Sequence, residues 1–324
     1  MTRSPRVAVR PGARPRVAHV PPADTNDAQD AIDLAVGYGL VPDDWQCFVL
    51  ESWLGCRADG KYSSPRCGLA VPRQNGKNGA LEIRELFGMV LLAERILHTA
   101  HEVKTARKAF ARLLEFFDNP RQYPELASLV REIRKTNGQE AIVLHNGGSV
   151  EFIARSKGSG RGFSVDVLVL DEAQELSEDA LAALQPTISA SANPQTIFTG
   201  TPPGPKAIGE VFTRVRAAGV KGEDARLCWL EWSLDPEGLD IADREGWFLT
   251  NPAAGIRLDI ETIEDEFATQ DAETFARERC GVWFDLGVGG LIPLAPWGDC
   301  ADVKSQIVGA VALAVDVTPE RTSG

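Results

Sequence analysis

Two adjacent residues, Gly76 and Lys77, stand where the sequence could bind a phosphate group. They follow an apolar run, residues 67–71, and precede residues 78–92, where apolar side chains recur at roughly helical spacing. Backbone N–H groups at the start of a helix are unpaired and attract an anion, and a lysine there adds a full positive charge. The pattern predicts a strand, a phosphate-binding loop and a helix.

A second segment, residues 165–172, is an apolar run that ends in two carboxylates, Asp171 and Glu172. A strand buried in a parallel sheet has this pattern. An aspartate at the carboxyl end of such a strand can hold Mg²⁺ through water, and a glutamate beside it can polarise an attacking water. Hydrolysis of a Mg-nucleotide requires both functions, so we predict Asp171 as the metal ligand and Glu172 as the residue that activates water.

A third segment, residues 195–204, is a short β run that stops at Thr199, Gly200 and Thr201, before prolines that cannot continue a strand ladder. The two threonines could sense a γ-phosphate. A loop, an acid pair and a polar turn at three strand ends fit an open sheet with its ligand at the carboxyl edges. The predicted fold class is α/β: a P-loop NTPase with a central, mostly parallel sheet flanked by helices, plus a small C-terminal helical subdomain.

These segments resemble the large subunit of phage terminase, particularly the type whose phosphate loop reads Pro-Arg-Gln-Asn-Gly-Lys, as residues 72–77 do here. The resemblance covers nearly the whole chain beyond the first 40 residues. Its other matching positions are residues 45–46, 99–100, 161–162, 170–173, 199–202, 251–252 and 314–316.

The resemblance implies a motor that hydrolyses ATP, with Mg²⁺, to drive double-stranded DNA into a procapsid. Its implied partners are the DNA, a terminase small subunit and a portal protein, on which it would form a homo-oligomeric ring. The implied location is the host cell cytoplasm. The family joins this motor to a metal-dependent nuclease that cuts the DNA concatemer.

The residues and the resemblance together nominate a nucleotide site and its catalytic groups. The predicted nucleotide-binding residues are Gln46, Arg73, Gln74, Asn75, Gly76, Lys77 and Asn78. The amide of Gln46 suits the adenine edge, because it offers a donor and an acceptor in one plane. Thr199, Gly200 and Thr201 would couple hydrolysis to motion.

Arg161 is the candidate arginine finger, since it lies in a flexible, basic segment directly before the acid-pair strand and could reach a neighbouring subunit's phosphate. Arg73 competes for this role and is better placed to act within its own subunit. A structural ion pair is the alternative for either arginine.

The sequence departs from the family pattern at Asn78, where a hydroxyl residue is usual; its amide oxygen could reach Mg²⁺ but is a weaker ligand. At the C-terminus, residues 307–317 look like the first strand of an RNase H-like nuclease domain, with Asp316 as its first metal-binding carboxylate. Two-metal hydrolysis needs several carboxylates, so we expect no nuclease activity from this polypeptide and endonuclease only from a full-length form.

The predicted organisation has five parts. They are a disordered basic Pro/Arg-rich tail (1–30), a P-loop ATPase core (31–232), a helical subdomain (233–285), a linker (286–306) and the first strand of a truncated nuclease domain (307–324). Within them we predict an amphipathic helix with a basic face at residues 101–117, a hairpin at 141–154, a strand at 225–232 and a long helix at 259–279.

Composition limits the remaining function classes. The 324 residues carry a net charge of −12, which argues against a protein that coats DNA nonspecifically. No apolar stretch is long enough to span a bilayer, so we expect no membrane partner. The six cysteines include no C-x-x-C pair that would indicate a zinc site.

Two alternative functions stay open. A helicase-like nucleic-acid translocase would share the acid box at residues 171–174, although a later arginine-rich helicase motif is missing. A non-enzymatic, nucleotide-binding scaffold would follow if Asn78 disables the metal chemistry. Retained ATP binding without turnover would distinguish the scaffold.

Overall fold

The computed structural model describes residues 14–156, 162–205, 207–235 and 240–284. The chain divides into two compact units, Met1–Val282 and Trp283–Gly324, and all but two of the described residues belong to the first. Arg161, Asp316, residues 1–13 of the predicted tail, the predicted linker beyond residue 284 and the predicted nuclease strand lie outside the described residues.

A nine-stranded sheet forms the centre of the described chain. Its strands are β1 (Val17–His19), β4 (Arg66–Ala70), β5 (Arg95–Ala100), β6 (Val130–Arg134), β7 (Glu140–Leu144), β8 (Ser149–Ala154), β9 (Val167–Leu170), β10 (Gln195–Gly200) and β11 (Leu227–Glu231), while β2 (Thr25–Asn26) and β3 (Gly55–Cys56) form a separate antiparallel pair. The order across the sheet is β1-β11-β4-β10-β9-β5-β8-β7-β6. The strands from β11 to β8 run parallel and the others pair antiparallel, which confirms the mostly parallel α/β sheet.

Helices flank this sheet. They are α1 (Ala28–Gly37), α2 (Asp44–Trp53), α3 (Lys77–Val90), α4 (Val103–Phe117), α5 (Pro124–Ser128), α6 (Glu178–Leu184), α7 (Glu210–Lys221), α8 (Arg244–Thr250), α9 (Ile260–Thr269) and α10 (Ala272–Glu278), with 3-10 turns at Ala173–Glu175 and Gln185–Ile188. In the part of the chain that the structure describes, none of the helices is long and apolar enough to cross a membrane.

The predicted strand, loop and helix around Lys77 are confirmed. The strand β4 is buried from Cys67 onward, and α3 begins at Lys77. Between them the chain turns sharply through two left-handed residues, Gln74 at φ 62° and Gly76 at φ 90°. Glycine adopts such angles without steric cost, whereas Gln74 is held there by its surroundings.

The main core joins the sheet to α2, α3 and α4. Its large buried members include Trp45, which packs edge-to-face on Trp232 with ring centroids 5.3 Å apart. A second cluster packs α1 and α2 against the outer side of α3. Helix α3, which begins in the phosphate loop, is therefore covered on both sides and buried over most of its length.

The hairpin prediction is confirmed: β7 and β8 pair antiparallel around Gly147, whose φ is 96°. The predicted strand at 225–232 is observed as β11. The prediction of one long helix at 259–279 is wrong, because the structure has two helices there, α9 and α10, with Asp271 between them. Its carboxylate accepts a hydrogen bond from the N–H of Thr274 and so caps a new helix, α10.

Regular secondary structure is present within residues 14–30 of the predicted tail. Residues from Val17 form β1, which pairs with β11 at the edge of the sheet, and α1 begins at Ala28. Arg16 helps to hold β1 at this edge, since it donates hydrogen bonds to Glu231 at 3.0 Å and to Ser233 at 2.8 Å. Composition identified a basic segment but not the buried carboxylate that binds it.

Candidate nucleotide site

The phosphate loop, the acid pair and the Thr-Gly-Thr turn lie at one edge of the sheet. Strands β4, β10, β9, β5 and β8 are parallel neighbours, so their carboxyl ends lie side by side. The phosphate loop (residues 72–77) follows β4, Thr201 follows β10, and Asp171 follows β9. An open α/β sheet binds its ligands at this kind of edge.

The phosphate loop presents a row of unpaired backbone donors. Within the described residues, the N–H groups of Gln74, Asn75, Gly76, Lys77 and Asn78 donate no hydrogen bond to the protein. Successive N–H groups in alternating right- and left-handed conformations form a concave anion-binding nest, and here the start of α3 adds its positive dipole end. The loop therefore has the geometry and charge to bind phosphate oxygens.

Asp171 is fixed by two donors. The ammonium of Lys77 and the hydroxyl of Thr199 both contact its Oδ1 atom, the hydroxyl at 2.7 Å. Burial alone would raise the pKa of Asp171, but Lys77, aided by His98 and Thr199, holds it well below its ordinary value. Asp171 is thus a buried, charged carboxylate at the end of β9, as predicted for a metal ligand.

Oxygen atoms of two side chains converge on the Lys77 ammonium. One is Oδ1 of Asp171 and the other is Oδ1 of Asn78, 3.3 Å from Nζ. Carboxylate and amide oxygens suit Mg²⁺, which commonly takes one or two protein ligands and completes its shell with phosphate and water. Among the described residues, no group of three or more His, Cys, Asp or Glu side chains could hold a metal alone. These two residues fit an ion that binds together with a nucleotide.

Glu172 directly follows Asp171 in the left-handed conformation, at φ 52°. Such a conformation is strained for a glutamate and indicates that the surrounding structure holds it in place. The structure identifies Arg155 as the residue that does so. Its guanidinium donates to the carbonyl oxygens of Asp171 at 2.6 Å, Glu172 at 2.9 Å and Thr99 at 3.1 Å.

The role of Arg155 was not predicted. Arg155 begins the flexible, basic segment in which the sequence analysis placed Arg161, whereas the structure turns its side chain inward to carbonyl groups that follow β5 and β9. Burial lowers the pKa of Arg155 to about 10. Its position directly after β8, at the edge where the site forms, was the signal that could have identified it.

Gln46 lies against the phosphate loop. Its Nε2 donates to the carbonyl of Gly76 at 2.7 Å, and its Oε1 accepts from the N–H of Asp43 at 2.9 Å. Both ends of the amide are thus engaged by the chain, which makes Gln46 a support of the loop. Contact between Gln46 and adenine stays a prediction.

The turn after β10 packs on Gln174, for which the sequence predicted no contact with this turn. The Oε1 of Gln174 accepts from the N–H of Thr201 at 3.3 Å, and a Cβ on Gly200 would lie only 2.5 Å from the same oxygen. A side chain at position 200 would therefore displace the amide end of Gln174. Thr199 contacts Asp171 rather than open space, so a direct γ-phosphate contact by either threonine stays a prediction.

Arg73 points to the C-terminal helices. Its Nε lies 2.5 Å from a carboxylate oxygen of Glu278, and 63% of its side chain is exposed. Arg73 and Glu278 line a cleft of about 350 Å³ together with Gln174, Glu175, Thr201 and Pro202. Arg73 is therefore beside the predicted coupling turn.

The described residues thus form an α/β fold with a mostly parallel sheet and a loop of unpaired backbone donors at the end of β4. Among solved structures, the chain is similar to the large terminase of bacteriophage HK97, with a TM-score of 0.66 and 18% identity over 80% of this chain and 56% of that one. It is also similar to the large terminase ATPase domain of Thermus phage P74-26, with a TM-score of 0.50 and 16% identity over 82% of this chain and 100% of that one.

The chain thus has the fold of phage large terminase ATPase domains and spans a little over half the length of the HK97 protein. No protein-family model matches the chain, and no curated protein sequence matches it. The resemblance stated from the sequence motifs is confirmed at the level of the fold.

Proposed function

We propose that this protein is the ATP-hydrolysing motor of a viral genome-packaging terminase, which translocates double-stranded DNA into a procapsid. The observation that carries the proposal is the cradle at the end of β4: five unpaired N–H groups beside a lysine that contacts a buried strand-end aspartate. The likeness to the HK97 large terminase supports the choice of motor among P-loop NTPases.

The residues divide the reaction between them. The loop N–H groups and Lys77 bind the nucleotide phosphates, and Lys77 exchanges Asp171 for a phosphate oxygen when ATP enters. Asp171 and Asn78 would hold Mg²⁺, which would supply positive charge to the phosphate oxygens. Glu172, held by Arg155, polarises the attacking water.

The finer roles are part of the same proposal. Gln46 contacts adenine, Arg161 acts as an arginine finger across a subunit boundary, and residues 199–201 couple hydrolysis to motion. The motor works as a homo-oligomeric ring on the portal protein, with the terminase small subunit, in the host cell cytoplasm. Endonuclease activity of a full-length form is a separate prediction, since Asp316 lies outside the described residues.

The first test is ATP turnover and nucleotide binding by the purified chain with Mg²⁺, with and without linear double-stranded DNA. We expect Lys77→Ala to lose both binding and turnover. Glu172→Gln should keep binding and lose turnover by about 10² or more, the usual contribution of a positioned acid or base. Lys61→Ala, at an exposed lysine before the amino end of β4, is the matched control.

Stimulation of turnover by DNA would support the motor. Turnover that persists in Lys77→Ala would contradict the site. Tight ATP binding with no turnover, even when portal protein and DNA are added, would contradict the motor and favour the nucleotide-binding scaffold.

A further inference from the structure

Side chains from the segments that border the C-terminal helices α8, α9 and α10 contact the phosphate loop. Residues 251–279, here called the clasp segment, contribute Asn251, Arg257 and Arg279. Arg279 Nη1 donates to the carbonyl of Arg73 at 2.8 Å, and Arg257 Nη2 donates to the carbonyl of Asn75 at 3.2 Å. The two partners in the first of these bonds are 206 residues apart in sequence.

The contact between Asn75 and Asn251 is fully buried. Asn75 donates to Oδ1 of Asn251 at 2.9 Å and accepts from the N–H of Ala253 at 3.0 Å. Asn251 in turn donates to the carbonyl of Arg279 at 2.9 Å. Each asparagine is 1% exposed, so water cannot replace a lost partner without rearrangement.

Arg279 binds the part of the loop whose backbone is strained, at Gln74. Besides the carbonyl of Arg73, its guanidinium contacts Oε1 of Gln74 at 3.0 Å, and Gln74 is the loop residue with a positive φ and a side chain. Glu266 of α9 accepts from Nε and Nη2 of the same guanidinium. Arg279 is 2% exposed, so these hydrogen bonds are shielded from water.

These bonds to carbonyl groups also orient the loop's donors. The peptide unit is planar and trans, so the C=O of one residue and the N–H of the next point in opposite directions. Fixing the carbonyl of Arg73 therefore fixes the N–H of Gln74, and fixing that of Asn75 fixes the N–H of Gly76. The guanidinium of Arg257 fits there because position 76 is glycine, since a Cβ would lie 2.8 Å from it.

We propose that Arg279, Asn251 and Arg257 are positioning residues for the bound nucleotide: the clasp segment turns the loop N–H groups toward the phosphates before ATP arrives. The proposal rests on the proposed nucleotide-binding function. Preorganised donors lose little freedom when the ligand binds, so the clasp segment sets affinity for the phosphate chain.

Arg279→Lys is the main test. Lysine keeps the charge opposite Glu266 but lacks the planar fork that reaches Arg73, Gln74 and Glu266 together. We expect the dissociation constants for ADP and for a non-hydrolysable ATP analogue, and the KM for ATP, to rise about tenfold, with kcat changed less than about twofold. Arg244→Lys is the matched control, because Arg244 pairs with Glu264 in α9 and makes no hydrogen bond to the loop among the described residues.

A second variant guards against loss of folding. Arg257 is 44% exposed, so Arg257→Ala should fold, and we expect it to weaken nucleotide binding about threefold. Backbone amide relaxation by NMR adds a readout without nucleotide. Loop amides should have order parameters of about 0.85 in the wild type and below about 0.6 in Arg279→Lys.

Three results would overturn the proposal. They are unchanged affinity in both variants, unchanged loop order parameters in Arg279→Lys, or a fall in kcat at unchanged KM that matches a loss of folded protein. If the wild-type protein binds no nucleotide at all, the proposed function is wrong. The amide relaxation would still show whether the clasp segment orders the loop.

Discussion

Asp171 is the residue on which the contacts of the site converge. It accepts hydrogen bonds from Lys77 and Thr199, and its own carbonyl oxygen accepts one from Arg155. It also directly precedes the strained Glu172. A carboxylate that several fixed donors hold keeps its orientation when Lys77 leaves it for a phosphate oxygen. Thr199, which donates to Asp171 but is not part of the phosphate loop, should therefore affect turnover more than binding.

Thr199→Val tests this at the site. Valine keeps the size of threonine but removes the hydroxyl that donates to Asp171, so the carboxylate becomes less fixed. We expect kcat for ATP to fall about threefold to tenfold and the dissociation constant to change less than about twofold. Thr196→Val, the same substitution near the other end of β10, is the control. Equal kinetics in the two variants would contradict the role given to Thr199.

Glu82 is a buried carboxylate behind the site, on α3. Burial raises the pKa of Glu82 to about 7; the charge of Glu85 also raises it, while Arg112 and His98 lower it. The folded pKa lies above the ordinary value of 4.5. Between these two values the folded protein binds more protons than the unfolded chain, so stability is lost as pH rises from about 4.5 to about 7.

Glu82→Gln should remove this dependence. The difference in Tm, variant minus wild type, should increase between about pH 5 and pH 8, because only the wild type must ionise a buried carboxyl group over that range. Calorimetry at several pH values measures it, beside the same substitution at the exposed Glu115. A difference that rises no more steeply for Glu82 than for Glu115 would contradict the raised pKa.

At the scale of elements, close packing between β4 and β11 positions the phosphate loop. Gly68 in β4 faces the ring of Trp229 in β11, and a Cβ at position 68 would lie 2.2 Å from a ring carbon. Trp229 is fully buried, and Gly219 of α7 lies against its other parts. The ring therefore has little room to move if β4 gains a side chain.

Gly68→Ala should lower the free energy of unfolding by about 1–3 kcal/mol, the usual range for overpacking. Urea unfolding measures the change. Gly37→Ala at the end of α1 is the control, since nothing lies within 4 Å of the added methyl group there. A Gly68→Ala protein as stable as the Gly37→Ala protein would contradict the close packing of β4 on β11.

At the scale of the whole molecule, a buried cluster of charged groups joins three segments at the edge of the sheet where β1 pairs with β11. Glu231 is 0% exposed and binds both Arg16, before β1, and Arg216 of α7, while Ser233 and Trp229 donate to it as well. One carboxylate thus joins the N-terminal strand, a helix and the last strand of the sheet.

Glu231→Gln leaves two guanidinium groups opposite a neutral amide. We expect the free energy of unfolding to fall by about 1.5–3 kcal/mol, the range for hydrogen bonds to charged groups. Glu223→Gln, which breaks only the exposed ion pair with Lys221, should cost less than about 1 kcal/mol. Similar losses in the two variants would contradict the anchoring role of Glu231.

The sequence by itself determined the strand ends that form the site. Residues 67–71, 165–172 and 195–204 each combine an apolar run with a polar turn, and the side chains that mark each end are neighbours in the chain. Periodicity, turn residues and motif spacing are local properties, so the mostly parallel sheet and the positions of Lys77, Asp171 and Thr199 could be predicted.

Only the tertiary structure decided which distant residues support those ends. Arg155 and Arg279 belong to no pattern that indicates their partners, and the motifs that contain Gln174 and Asn251 do not show what these two side chains contact. Arg16 looked like part of a solvated tail. Each acts through a carbonyl, amide or carboxylate that becomes its partner when separate segments pack together. A long side chain carries no sequence signal of the group it will meet, because that group is chosen by strand order and burial, and those are properties of the folded chain.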